Sequence, residues 1–594
     1  MSEHVAQVIR EVAARYPDRV ATRVRVGDEW VTQTFSEFAT RINAVAKGLI
    51  DAGVQPGDRV AIFANNRPEW SEIDYGTLSA RAILVPIYAT STVDQIAHIM
   101  RDSGAKVVFV GGRSEAERVL EAREQLPELE RVITIDAFQD QPSDVALLAD
   151  FMRFGDTAEV DAQLAGASGD ELASIIYTSG TTGDPKGVMT PNSALVRQKE
   201  ALDQFFTITP DDHSLAFLPL SHSLERAWTF VVLAHGCMNT YVPNAREVAD
   251  QLVLAQPTLM VSVPKLYETV FKTAHAKVAK SAAKRAIFSW AFRVGGRLQR
   301  AYRKGKQPSS FWKAQLGVAD NLVFRNIREA MGGPKTVLAC GGAPLRQEIE
   351  EFFSAAGMLV CQGYGLTEAS PLVSFNAPDG FKFGTCGRVL PGGELHIGTD
   401  GEILYRGPNV MTGYWNHPEA SDEALRDGWL HTGDVGYVNT DGYLVITDRL
   451  KDIIVTLGGK NVAPQPIEGM VLADPLFEHA VLLGDNRPCL TLLVKPSLPA
   501  VEEMAKRLQW PGDMPEWLQH PELIDEIRQR ISHLTAKLPS QEQIRDTLLL
   551  TDEFTMDNGL LTPTLKVKRR EVEKRFKDLV DSMYERLAER RRQE

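Results

Sequence analysis

Short apolar runs alternate with stretches of helical spacing through the first half of the chain. Val60-Ala61-Ile62-Phe63, Lys106-Val107-Val108-Phe109-Val110 and Val132-Ile133-Thr134-Ile135 predict strands, and Thr40 to Ala52 places its apolar residues three or four apart, predicting a helix between strands. Such alternation favours parallel sheets covered on both faces, with chemistry carried by loops beyond the carboxyl ends of strands. Gly384 to Thr447 is β-like and rich in glycine. A boundary falls near Asp448-Arg449-Leu450-Lys451-Asp452, after which Ile453-Ile454-Val455 opens a mixed α/β segment. Val572, Phe576, Leu579, Val580, Met583 and Leu587 predict one apolar face on a C-terminal helix. The expectation is an α/β chain. A large N-terminal domain of α/β sheets plus a β-rich subdomain spans 1–448, and a smaller α+β C-terminal domain spans 449–594. No repeat of solenoid length is evident.

Composition narrows this picture. A length of 594 residues suggests three or four domains by size alone, while 44% hydrophobic and 24% charged residues exclude collagen-like and disordered classes. The five cysteines are scattered without a C-x-x-C pair, which argues against a disulfide framework or structural zinc and for a reducing compartment. A net charge of −13 argues against a nucleic-acid partner. Met1-Ser2-Glu3-His4 opens no signal-peptide pattern, and no apolar stretch approaches the roughly 18 residues of a membrane span, so a soluble, cytoplasmic protein is expected.

The charge is uneven. Lys272 to Lys313 holds twelve Lys or Arg and no Asp or Glu, leaving −25 for the rest, and Phe288, Trp290, Phe292, Tyr302, Phe311 and Trp312 are interleaved with the cations. Two readings stand side by side: peripheral contact with an anionic membrane surface or an anionic ligand, and a solvated helical insertion (about 272–334) that buries its aromatics on the parent domain.

Three strand-to-loop junctions carry candidate chemistry. Ile175-Ile176-Tyr177 runs into Thr178-Ser179-Gly180-Thr181-Thr182-Gly183-Asp184-Pro185-Lys186-Gly187, where glycines expose backbone N–H groups to phosphate, hydroxyls add donors and Lys186 adds charge. It is not a Walker A loop, since no Ser or Thr follows a Gly-Lys pair. Val337-Leu338-Ala339-Cys340 leads into Gly341-Gly342-Ala343-Pro344. Leu359-Val360-Cys361 leads into Gln362-Gly363-Tyr364-Gly365-Leu366-Thr367-Glu368, combining an aromatic platform, a hydroxyl and a carboxylate able to hold Mg²⁺. Asp434, in Thr432-Gly433-Asp434-Val435-Gly436, suits a ribose diol or an ordinary β-turn.

The order and spacing of these motifs resemble the acyl-CoA synthetases of the adenylate-forming superfamily, and within it the long-chain fatty acid CoA ligases. The resemblance runs from Thr34-Phe35-Ser36-Glu37 and Asn65-Asn66-Arg67-Pro68-Glu69-Trp70 to Lys566, and Asp427 to Lys451 resembles that subgroup's signature. It implies a phosphate loop from Thr178 to Lys186, with Thr178 and Glu368 on the Mg²⁺ side. It implies an adenine and acyl wall at Gly342, Ala343 and Pro344, and Gln362, Gly363 and Tyr364 beside adenine. Thr367 would contact the α-phosphate, Asp434 the ribose with Arg449 in support, and Lys451 would be the hinge of a mobile C-terminal domain. Gly458 and Lys460 would line the CoA channel. Lys566, in Thr562-Pro563-Thr564-Leu565-Lys566, matches the adenylation lysine, although Leu565 replaces a glycine usual in relatives, and Val455 replaces a common lysine. His222, in Pro219-Leu220-Ser221-His222, and Trp228 would line the acyl site.

The implied reaction uses ATP, Mg²⁺ and CoA to convert a long-chain fatty acid, through acyl-AMP, to acyl-CoA. A fatty-acyl-AMP ligase serving a carrier protein, a luciferase-like oxygenase, and a membrane-surface scaffold with an inactive nucleotide site are the alternatives. Nothing in the sequence bears on oligomeric state.

Overall fold

The computed structural model describes residues 3–178, 185–457, 460–555, 558–561 and 567–593. Contacts divide the chain into two units. One holds Met1–Gly398, Ile403–Thr432 and Val438–Val445; the other holds Thr399–Glu402, Gly433–Tyr437 and Ile446–Glu594.

The first unit is built on two large sheets. In one, Val20–Val26, Met238–Tyr241, His213–Ala216, Leu259–Ser262, Val337–Cys340 and Val360–Gly365 run parallel. Antiparallel strands flank them: Glu29–Thr34 at one edge, Leu372–Phe375 and Arg388–Val389 at the other. In the other, Leu172–Thr178, Ile83–Ile87, Arg59–Phe63, Val107–Val110, Arg131–Thr134 and Val145–Leu147 are parallel, and Lys186–Pro191 and Gly413–Tyr414 add an antiparallel edge. Ile83–Ile87 and Val107–Val110 are buried throughout, as continuous apolar runs in a strand covered on both faces must be.

The expected helix at Thr40 starts earlier, at Phe35, and ends at Asp51. Thr34 Oγ1 accepts from the Glu37 N–H while the Glu37 carboxylate accepts from the Thr34 N–H, a reciprocal cap that fixes the first turn. Thr34-Phe35-Ser36-Glu37 is thus a helix start. Pro68 opens the buried helix Pro68–Ser79, and just before it Asn66 donates to Leu218 O (2.7 Å) and accepts from Leu220 N (2.9 Å). That side chain braces the loop leading to Ser221 and His222.

The basic segment lies in the crossover between the neighbouring parallel strands Leu259–Ser262 and Val337–Cys340. It forms helices Pro264–Ala279, Ala282–Arg303 and Ser310–Ala319, a π-helical turn Asp320–Phe324 and helix Arg325–Ala330. Phe288 is buried and Phe292 stacks on Phe352 with ring centroids 4.8 Å apart, whereas Phe311 stands 65% exposed.

In the second unit, Phe477–Leu483 pairs antiparallel with Leu490–Pro496, which pairs parallel with Ile544–Leu549. The predicted single C-terminal helix is two, Arg569–Arg575 and Lys577–Gln593, separated at Phe576. Val572, Phe576, Val580 and Met583 are buried, but the break turns Leu579 outward. Among the described residues no helix is long and apolar enough to cross a membrane.

Candidate active site

Thr178 ends one strand and pairs directly with Lys186, the first residue of the antiparallel return strand. Ser179, Gly180, Thr181, Thr182 and Gly183, assigned to phosphate, lie outside the described residues, but both ends of their loop are fixed. His98 Nε2 lies 2.9 Å from Pro185 O, and Tyr177 donates to Asp102 Oδ2 at 2.6 Å. Gly187 faces Tyr177 across the pair, and a Cβ there would lie 2.5 Å from Ile175 Cγ2, so the strand register requires glycine.

Gly413–Tyr414 adds to the outer edge of Lys186–Pro191, with Gly413 opposite Met189 and Tyr414 opposite Val188. The Tyr414 hydroxyl donates to Glu368 Oε1 at 2.8 Å, and its ring centroid lies 5.5 Å from Lys186 Nζ. Met411 N donates to Glu368 O (2.8 Å), so backbone and side chain both tie Glu368 to this edge. The two predicted charged residues, Lys186 at a strand start and Glu368 in the turn Thr367–Ala369, are thereby joined through a tyrosine that the sequence reading missed. Its signal was present in Gly413-Tyr414-Trp415-Asn416, a short aromatic strand after glycine.

Thr367 Oγ1 is 3.2 Å from Ser223 Oγ. Ser223 opens helix Ser223–Ala234, which is anchored by Arg226: two guanidinium nitrogens donate to Asp74 at 2.8 Å each, and Nη1 donates to Ser174 Oγ at 2.7 Å, all buried. The link reaches the strand that ends at Thr178. His222 is the N-cap, its Nδ1 accepting from Leu224 N at 3.1 Å, which assigns the ring proton of a neutral imidazole to Nε2. Glu225 Oε2 accepts from Leu218 N (3.0 Å), and complete burial pushes its carboxyl well above the usual range. Trp228 is buried among Val231, Leu259 and Phe375, with Nε1 donating to Ser214 Oγ; it serves the core.

Gly342, at φ +80°, turns the loop after Val337–Cys340 and leaves Gly342, Ala343 and Pro344 exposed. Gln362, by contrast, faces inward. Its amide accepts from Leu345 N (2.9 Å) and donates to Glu350 Oε1 (2.8 Å), holding this loop to strand Val360–Gly365. The second glycine of the Gly-Tyr-Gly pattern around Tyr364 has a packing cause, because a Cβ on Gly365 would sit 1.7 Å from the O of Pro371, just before the antiparallel strand Leu372–Phe375.

In the second unit, Arg449 Nε donates to Asp434 Oδ1 at 2.8 Å, the support expected for that aspartate. Burial raises the neighbouring Asp448 carboxyl to about 6, while it accepts from the Gln465 and Arg449 N–H groups. Lys451 follows in the turn Leu450–Asp452, and Lys460 is exposed. Gly458 and Lys566 lie outside the described residues. The segment carrying Lys566 is bounded by the bridge Leu561↔Val567, and Arg569 just after it is locked to Glu468 by two hydrogen bonds (2.6 and 3.0 Å).

The fold, two large sheets and a second α+β unit, is shared with solved adenylation enzymes. One is the adenylation domain of a carboxylic acid reductase from Segniliparus rugosus, solved with AMP and a co-purified carboxylic acid: 21% identity, TM-score 0.75, covering 98% of this chain and 94% of that one. The AMP-binding enzyme family matches residues 9–415 and its C-terminal domain matches residues 451–588; the chain belongs to this family. It is 36% identical over 586 residues to the long-chain-fatty-acid–CoA ligase FadD15 of Mycobacterium tuberculosis, covering 98% of this chain and 97% of that protein. It is 28% identical to the long-chain-fatty-acid–CoA ligase ACSBG2 of Xenopus laevis, covering 98% of this chain and 84% of that protein.

Proposed function

We propose that this chain is an AMP-forming ligase that joins a long-chain fatty acid to CoA at the expense of ATP. The structural observation that carries the reading is the linkage of Lys186 to Glu368 through Tyr414 beside Thr178. It sets a cation and hydroxyl donors against a carboxylate, as a magnesium–triphosphate substrate requires. The relatives' names supply the acid and the thiol.

In the first half-reaction a carboxylate oxygen attacks the α-phosphorus and the bond to pyrophosphate breaks. A carboxylate is anionic at neutral pH, so no general base is needed and the barrier is charge against charge. Lys186, the backbone N–H groups of 179–183 and Lys566 neutralise it, Thr367 holds the α-phosphate, and Asp434 with Arg449 holds the ribose. Thr178 and Glu368 offer the hard oxygen donors that suit Mg²⁺, which when bound supplies charge compensation on the phosphates. His222, its Nδ1 spent on the helix cap and its proton on Nε2, lines the acyl side and is no general base. In the second half-reaction the CoA sulfur attacks the acyl carbon and AMP leaves. The C-terminal domain turns about Lys451, leaving the Asp434–Arg449 pair together, withdrawing Lys566 and admitting pantetheine past Gly458 and Lys460.

The test is exchange of labelled pyrophosphate into ATP. Exchange that depends on added palmitate supports the reading, and exchange absent with every fatty acid rejects it.

A further inference from the structure

The crossover helices carry a surface that this chemistry does not use. Helix Ser310–Ala319 runs directly into the turn Asp320–Phe324. Phe311, Val318 and Leu322, seven and four positions apart, form one ridge and are 65%, 52% and 55% exposed. A helix on a globular domain ordinarily turns such a stripe toward the core. Helix Ala282–Arg303 lies beside it, with the Arg297 guanidinium 4.2 Å over the Trp312 ring. From Lys284 to Lys313 there are nine cations and no Asp or Glu, and among the described residues none of the nine forms a salt bridge. Where their side chains do bond, the acceptors are neutral: Arg293 donates to Ser289 O and Arg300 to Gly296 O, one turn back on their own helix.

We propose that this ridge and its basic flank dock the protein on an anionic phospholipid bilayer. Phe311, Val318 and Leu322 enter the boundary between headgroups and acyl chains, and the cations of Ala282–Arg303 meet lipid phosphates. Charge complementarity selects this occupant. A second copy related by a two-fold axis would bring the same basic helices face to face, and like charges oppose that contact. A soluble polyanion would satisfy the cations and leave the ridge in water. An unusually exposed apolar stripe beside an uncompensated basic helix matches a surface that is apolar below and anionic above. The proposal does not depend on the ligase reading.

Sedimentation of the full chain with phosphatidylcholine vesicles, with and without phosphatidylglycerol, tests it. Binding roughly tenfold or more tighter to the anionic vesicles, weakening as salt rises, is expected. F311S/V318S/L322S lowers that binding by roughly tenfold or more, and K284Q/R293Q/R300Q removes the preference for phosphatidylglycerol. The second variant changes only exposed polar side chains, so it decides the matter if the first misfolds. Equal binding of the wild type to both vesicle types overturns the proposal. So does wild-type-like anionic binding by both variants, or a light-scattering dimer that the ridge substitutions dissolve in a protein that ignores vesicles.

Discussion

Glu350 is fully buried, and both its oxygens face N–H donors: Oε1 accepts from Gln362 Nε2 at 2.8 Å and Oε2 from Gly384 N at 2.7 Å. Burial pushes its carboxyl up from 4.5 to about 7, while the two hydrogen bonds pull the other way. Between pH 4.5 and about 7 the folded protein therefore retains a proton that the unfolded chain has released. Stability then falls as pH rises through that window, since the native state binds more protons. For these end points the loss is about 2.5 kcal/mol between pH 5 and pH 8, from 1.36 kcal/mol per unit of differential titration. Glu350→Gln keeps the shape and cannot titrate. Urea unfolding of both proteins at the two pH values is the assay. The free-energy difference between wild type and E350Q is expected to move by about 2.5 kcal/mol in favour of E350Q from pH 5 to pH 8. Parallel stability–pH curves would refute the buried ionisation of this carboxylate.

Tyr414→Phe removes the hydroxyl bonded to Glu368 but keeps the ring near Lys186. Loss of a hydrogen bond to a charged group, about 1.5–3 kcal/mol, lowers fatty-acid-dependent pyrophosphate exchange by roughly ten- to a hundredfold with unchanged thermal stability, and an unchanged rate contradicts the linkage. Arg226→Leu leaves Asp74 buried without its cation. Denaturation should show a loss of about 3–5 kcal/mol, and a loss below about 1 kcal/mol would mean that the pair anchors nothing. Lys566→Ala should abolish acyl-AMP formation far more than thioester formation from supplied acyl-AMP; equal loss in the two assays removes the lysine from the adenylation step.

Where one physical cause dominated, the sequence was readable. The apolar runs at Val60, Val107 and Val132 are strands within a residue or so of their expected limits, because a strand covered on both faces has little choice of composition. Helix Phe35–Asp51 begins five residues before the expected stretch, where Phe35 and Phe38 already continue its buried face and the Thr34–Glu37 cap fixes the start. The C-terminal helix breaks at Phe576 although the apolar spacing continues across it. Thr178, Lys186 and Glu368 stood out by chemical type, and the Asp434–Arg449 pair by resemblance. What could not be read was direction. Gln362 spends its amide inside the fold, and Trp228 gives its N–H to Ser214. Tyr414 completes the site from a short edge strand more than two hundred residues beyond the strand it joins, a pairing that only the folded sheet reveals.

The central claim is that one chain carries out adenylation and then thioester formation. The most direct measurement mixes the purified protein with ATP, Mg²⁺, CoA and carboxylic acids from acetate to long-chain fatty acids, and quantifies acyl-CoA, AMP and pyrophosphate separately. The account predicts equal amounts of all three products with long-chain acids and little with acetate. Acyl-AMP that accumulates without acyl-CoA would contradict it in favour of a carrier-protein acceptor, and no AMP with any acid would contradict it outright.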